Sequence, residues 1–173
     1  MKVRLTKPRL ELEQQFYEYM EEWAHYKEKV VPTILRNAGN SYPDFVQNVQ
    51  KASEGQVLEG WVANSTYFLI DENNNILGSC NLRHDLNQKL LEIGGHCGYG
   101  VRPTERGKGY ATEILKQSLD ILRGIGIKRA LITCNDDNIA SRKVILNNDG
   151  VQDESFTEED DTIVNRFWIN LGV

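Results

Sequence analysis

Residues 94–134 carry the feature that most limits what this chain can become. An extended segment, "GGHCGYGVRP", leads to a glycine bend, "TERGKGY", then to a helix, then to the strand "GIGIKRALITC". Ala111, Ile114, Leu115, Leu119 and Leu122 fall on one face of the helix. Ala130, Leu131 and Ile132 leave the following strand no polar face, which predicts burial on both sides. Such strand-helix-strand crossovers occur only in this second half, and over the whole chain strands outnumber helices. The pattern predicts an α+β (mixed α/β) fold, a mixed sheet flanked by helices. The 173 residues suit one domain, 1–173, with a full core.

Upstream, "MKVRLTKP" alternates Val3 and Leu5 with polar residues and stops at Pro8, as a short first strand does. Leu12, Phe16, Met20 and Trp23 recur at helical spacing and predict an amphipathic helix to about Tyr26. "DFVQNVQKAS" reads as a second helix capped by Asp44. Tyr67 to Ile70, the turn "DENNN" and Ile76 to Leu82 read as a hairpin. "LLEIGGHCGYGVRP" is expected to be extended throughout. Asn138 opens a last helix whose Ile139, Val144 and Ile145 can face a core. Two strands, Val151 to Phe156 and Thr162 to Leu171, flank the acidic turn "TEEDD".

Composition removes some classes of function. A net charge of −5 argues against a nucleic-acid binder, which needs a basic face. No apolar run approaches the ~20 residues of a membrane span, and the first residues lack a signal peptide's apolar stretch. A cytoplasmic protein is the expectation. Cys80, Cys97 and Cys134 are odd in number and not spaced with histidines as metal ligands, so reduced thiols and no metal are expected.

The bend has the makings of an anion site. A P-loop would need a glycine where Arg102 stands and Ser or Thr where Gly109 stands. A dinucleotide fingerprint would need a glycine at Thr112. The pattern present is Arg106-x-x-Gly109-x-Ala111. The first N–H groups of a helix lack intrahelical partners and sit at the positive end of its dipole. Glycines at 107 and 109 keep side chains away from an approaching phosphate. The alternative is a glycine-rich turn that only starts a helix.

Before the bend, alternation puts His96, Gly98 and Gly100 on one face of the strand and Cys97, Tyr99 and Val101 on the other. Glycines inside a strand mark a bulge or the close approach of a backbone or ligand. An extended ligand with amides, such as pantetheine, is one candidate for that approach. In this setting "GYGVRPTERGKGYATEIL", followed by "NDDNIASRKVI", resembles the GNAT superfamily of acetyl-CoA-dependent N-acetyltransferases.

The resemblance implies a splayed mixed sheet, with the co-substrate acetyl-CoA wedged between the strand ending at Val101 and the one ending near Cys134. Backbone groups of Gly100, Val101 and Arg102 would pair with pantetheine. Amides from Arg106 through Gly107, Lys108, Gly109, Tyr110, Ala111 and Thr112 would hold the pyrophosphate, with Lys108 an outer electrostatic helper. Asn138 and Ser141 match the asparagine-led helix that reaches the cysteamine arm. Family members are often dimers, so a homodimer is a mild expectation.

The family's reaction is direct attack of an amine on a thioester, and three needs follow. At neutral pH only about one alkylamine in a thousand is unprotonated, so a base helps. His96 is the first candidate and Glu92 the second. The oxyanion needs a donor, for which an N–H near Tyr99 or Gly100 would serve. The leaving thiolate can take a proton, but the family's usual tyrosine position, counted back from Gly150, is Leu146; Tyr99, Tyr110 or water would have to substitute. Tyr42, Trp61, His84 and Asp85 lie in or beside segments that could wall the amine acceptor. The reading is an acetyl transfer to a primary amine of unidentified identity. A non-catalytic acyl-CoA sensor and a nucleotide-phosphate binder are the rivals.

Overall fold

The computed structural model describes residues 2–37 and 39–172. Strands β1 (Arg4–Thr6), β2 (Asn64–Ile70), β3 (Ile76–Arg83) and β4 (Cys97–Val101) form one antiparallel sheet in the order β1-β2-β3-β4. A second antiparallel sheet contains β5 (Arg129–Asn135), β6 (Val151–Gln152), β7 (Phe156–Thr157) and β8 (Ile163–Asn170), in the order β5-β8-β6 with β7 also on β8. The expected sheet flanked by helices is therefore built from two halves that abut where β4 faces β5.

Helices α1 (Glu13–His25) and α2 (Tyr42–Ser53) pack on one face of the first sheet. Phe16, Tyr19, Trp23, Phe45 and Phe68 fill that layer, with Phe16 and Phe45 stacked at 5.2 Å. On the opposite face, α3 (Tyr110–Gly124) brings Ile114, Leu115 and Leu122 against Leu77, Cys80 and Leu82 of β3 and against β5 and β8. The same core takes Val144 and Ile145 from α4 (Ile139–Leu146). β2 and β3 are covered on both sides, so nearly every residue along them is buried, including Asn64, Ser65, Thr66, Ser79 and Asn81.

Four local expectations change. Val151 to Phe156 is not one strand, because β6 stops at Gln152 and β7 starts at Phe156. Ser41, not Asp44, caps α2: its Oγ accepts the Asp44 N–H at 3.2 Å, and Pro43 sits in the first turn, where a missing N–H costs nothing. Leu90–Gly94 is a π-helical turn and not a strand, started by Asn87 Oδ1 accepting the Leu90 N–H (2.9 Å). It ends at Gly95, whose φ of +62° reverses the chain before β4 can begin. Ile139, the first residue of α4, is exposed and does not enter the core.

Candidate functional site

No ladder pairs β4 with β5 among the described residues. Among the described residues their edges are joined by hydrogen bonds at one place, just before β4, where the His96 N–H donates to Leu131 O (2.7 Å) and the Leu131 N–H donates to His96 Nδ1 (2.9 Å). Beyond it the edges separate, and a cleft of about 760 Å³ opens between them. Tyr99 from β4, Cys134 from β5 and Asn138 and Ser141 from the start of α4 line one part of it. Tyr99 spans the gap: its hydroxyl lies 2.7 Å from Ser141 Oγ, and burial pushes the phenol pKa far up, so it stays protonated. Asn138 Oδ1 accepts the Ser141 N–H at 3.0 Å, which caps α4 and fixes the same corner.

The β3–β4 register decides which backbone groups face the cleft. The Arg102 N–H donates to Leu77 O (2.9 Å) and the Arg83 N–H to His96 O (2.8 Å). With Asn81 opposite Gly98 and Ser79 opposite Gly100, these bonds set an alternation in which positions 98, 100 and 102 pair with β3. The N–H and C=O groups of Tyr99 and Val101 therefore turn toward the cleft. Of Gly100, Val101 and Arg102, only Val101 turns its backbone to that edge, and its O accepts from Arg106 Nε at 3.4 Å. Of the two expected oxyanion donors, Tyr99 N–H is the one left free by the sheet.

The glycine bend lies at the N-terminus of α3. Gly107 and Gly109 have φ of +76° and +84°, and a Cβ at either would meet nothing within 4 Å. Glu113 N–H closes the first i to i−4 bond, onto Gly109 O (3.1 Å). The amides of Lys108, Gly109, Ala111 and Thr112 precede that bond and have no carbonyl partner among the described residues. An exposed, side-chain-free approach to unpaired amides at a helix start suits an anion such as a diphosphate. Tyr110 and Ala111 turn inward onto the core.

The cations of this loop look elsewhere. Arg106 forms a two-point pair with Glu28 (3.0 and 2.7 Å) and lies over the Trp23 ring at 5.1 Å. Arg102 Nε donates to Glu22 Oε2, and Glu22 Oε1 accepts from both the N–H and the Oγ1 of Thr104 (2.8 Å each). Lys108 is paired with Glu105 at 2.9 Å. Arg102 and Arg106 thus clamp the bend to α1, and their side chains are engaged before any ligand arrives.

His96 is buried, and burial lowers its pKa to about 4, with Asp85 opposing and Arg83 assisting. Its Nδ1 lone pair is committed to Leu131, so the neutral ring carries its proton on Nε2 and keeps no free lone pair to take another. Glu92 sits on the π-helical turn and accepts from Gln88. Neither lines the cleft. Tyr42 is buried on Arg9 O and His84 bonds Ser65, so of the four acceptor-wall candidates Trp61 alone lines the cleft.

The rest of the cleft is lined by residues the sequence pattern did not single out, among them Val31, Asn64, Asn81, Arg83 and Glu59. The signal available was the polar end of the hairpin, Asn64, Ser65 and Thr66 on β2 across from Asn81 and Arg83 on β3. They also explain the glycines. A Cβ on Gly98 would meet the Arg83 guanidinium at 3.2 Å, and one on Gly100 would meet Val31 at 2.5 Å. The close approach at these positions comes from the protein's own groups, and the ligand edge of β4 is the other one.

Among the described residues no cluster of three or more His, Cys, Asp or Glu forms a metal site, and no helix is long and apolar enough to cross a membrane. No curated protein sequence matches the chain. The fold is similar to that of the microcin C7 self-immunity acetyltransferase MccE in complex with acetyl-CoA and AMP: TM-score 0.69, 15% identity, 98% of this chain and 92% of that one. It is similar to Mycobacterium smegmatis RimJ in complex with CoA-disulfide (0.71, 16%, 97% and 81%). The spermidine/spermine N-acetyltransferase SpeG from Vibrio cholerae is a third such neighbour (0.64, 14%, 98% and 95%). A splayed β4–β5 edge beside a glycine-started helix fits acetyl-CoA as co-substrate. Residues 2–150 match the acetyltransferase (GNAT) domain, and the chain belongs to that family.

Proposed function

We propose that the protein transfers the acetyl group of acetyl-CoA directly to a primary amine bound in the same cleft. The carrying observation is the continuity of that cleft, from the β4–β5 edge to Val31, Trp61, Asn81 and Arg83, which lets two ligands meet without a covalent enzyme intermediate. Acetyl-CoA supplies an activated thioester. The Tyr99 and Val101 backbone edge would hold the pantetheine arm as an added strand. The amides from Gly107 to Thr112 would seat the pyrophosphate, and Asn138 would border the cysteamine end. Tyr99 N–H, left free by the sheet, would donate to the developing oxyanion. Its phenol, kept protonated and held on Ser141, would supply a proton to the leaving sulfur.

His96 then acts as the pivot of the splay and not as a base. Among the described residues Glu59 is the only carboxylate that lines the cleft, and it is exposed at the rim. We assign it the role of accepting the amine proton through water. Thiol release from acetyl-CoA over an amine panel, with mass spectrometry of the products, tests the reading. The rival sensor reading draws on Leu146, which is exposed and outside the cleft. Tight acetyl-CoA binding with no thiol release on any amine would favour it. Stronger thermal stabilisation by ATP or GTP than by acetyl-CoA would instead favour a nucleotide binder.

A further inference from the structure

Arg83 closes β3 and faces Asn64 across the β2–β3 pair. Its guanidinium lies over Gly98, within the space a side chain would occupy, and lines the cleft. One donor is used, Nη1 to Gly94 O at 3.2 Å. No carboxylate pairs with it among the described residues, whereas Arg102 and Arg106, which flank the far end of β4, each have a glutamate. Burial lowers its pKa, with the Cys97 and Cys80 thiols acting the other way. An arginine withdrawn from water without an anion is costly, because its desolvation goes uncompensated. Here five donors stand in a planar fork with most of them unclaimed.

The surroundings reinforce the sign. Arg83 and Lys89 line the cleft against Glu59 alone, in a protein whose net charge is −5. Two residues back on the same face of β3, about 7 Å along the strand, Asn81 Nδ2 donates to Asn64 Oδ1 (2.8 Å) and Thr66 Oγ1 (3.3 Å). That orientation leaves Asn81 Oδ1 with no donor among the described residues, available to an amine N–H.

We propose that the acceptor is an amino-carboxylate, its carboxylate held by the Arg83 guanidinium and its amine by Asn81, next to the Tyr99 edge of β4. This rests on the acetyl-transfer reading above. It excludes polyamines as preferred substrates, since an extra ammonium would meet Arg83. A planar carboxylate matches the fork in two parallel bonds.

The test uses the full chain, acetyl-CoA and matched acceptors: glycine, serine, glutamate and phenylalanine, each with its carboxamide and its decarboxylated amine, plus aminomethylphosphonate and spermidine. Carboxylate members should release thiol at least ~100-fold more efficiently than their neutral partners, because a buried ionic donor left unpaired discriminates strongly. Arg83→Gln should erase that preference by raising KM for the carboxylates, leaving acetyl-CoA affinity unchanged by calorimetry. A preference for aminomethylphosphonate over glycine would overturn the carboxylate assignment. If neutral amines or spermidine react as well as the carboxylates, or Arg83→Gln slows all acceptors alike, the anion subsite is wrong while acetyl transfer stands. If acetyl-CoA binds and no acceptor of any class releases thiol, the transfer reading fails and this proposal falls with it.

Discussion

His96 and the Leu131 backbone exchange two hydrogen bonds where the β4 and β5 edges meet: the His96 N–H donates to Leu131 O at 2.7 Å, and the imidazole Nδ1 accepts the Leu131 N–H at 2.9 Å. Everything on the far side of that contact is the cleft. The ring satisfies the Leu131 amide while the backbone N–H of the same residue holds Leu131 O, so the two edges are pinned here and part beyond it. The same close packing forbids a side chain at Gly95, whose Cβ would run into Leu131 O.

His96→Asn separates a pivot from a base. Asparagine Oδ1 can accept the Leu131 N–H in place of Nδ1, so the cleft should survive and thiol release should stay within about threefold of wild type. A base would lose 100-fold or more on the same change. Stability carries a second signature. The folded pKa of about 4 lies below the unfolded value near 6.5, so the unfolded chain takes up the proton first. This contribution is complete above pH 6.5 and falls by about 1.4 kcal/mol per pH unit on acidification, ending near pH 4. Denaturant titrations at pH 5 and 7 should show that slope in wild type and not in the variant.

The Glu22 clamp titrates lower. Burial opposes its charge, but the bonds from Thr104 and Arg102 outweigh burial and hold the carboxyl below the usual range. Its contribution is therefore present above the ordinary carboxylate pKa and is lost as pH falls through the lowered one. Glu22→Gln should cost about 1–3 kcal/mol at pH 7, the scale of hydrogen bonds to a charged group, and that cost should shrink toward pH 3. Acetyl-CoA affinity should weaken as well, because the strand-to-bend corner loses its tie to α1.

Gly98 and Gly100 look alike in sequence and should respond differently to alanine. At Gly100 the new Cβ meets Val31 O at 2.6 Å, and a backbone atom cannot step aside cheaply. A loss of about 1–3 kcal/mol in chemical denaturation is expected. At Gly98 the Cβ meets only the tip of Arg83, at 3.2 Å. Stability should change by less than about 1 kcal/mol, while KM for the acceptor rises because the guanidinium is displaced.

These contrasts show what the sequence could and could not convey. The crossover unit, the glycine bend and the Asn138 cap were legible because each is a local pattern with a local cause: periodicity, backbone freedom at positive φ, a side-chain acceptor at a helix start. The phase of β4 was legible as alternation, but which edge faces a ligand depends on pairing with β3, a contact far away in sequence. For the same reason the glycines of β4 suggested a ligand, whereas Val31 and Arg83 fill the space beside them. Arg102 and Arg106 sat in a motif that suggested phosphate, and their carboxylate partners lie on or just after α1, some eighty positions earlier. Glu92 reads in sequence as part of the β4 strand, but the chain reversal at Gly95 leaves it on the separate π-helical turn before that strand.

Gly109 tests the co-substrate seat. It is the N-cap of α3 with φ +84° and open space beyond its Cα. Gly109→Ala adds a methyl group to the open approach at the helix start and holds alanine in a left-handed conformation, at about 1–2 kcal/mol. Calorimetry should show CoA binding weakened at least ~10-fold in the variant, with pantetheine, which lacks the pyrophosphate, bound as in wild type. Wild type itself should prefer CoA to pantetheine by a wide margin that shrinks with added salt, since the amides and helix dipole act on the phosphates. Equal affinity of wild type for the two ligands would remove the pyrophosphate from the glycine bend, and Gly107 and Gly109 would then serve only to start the helix.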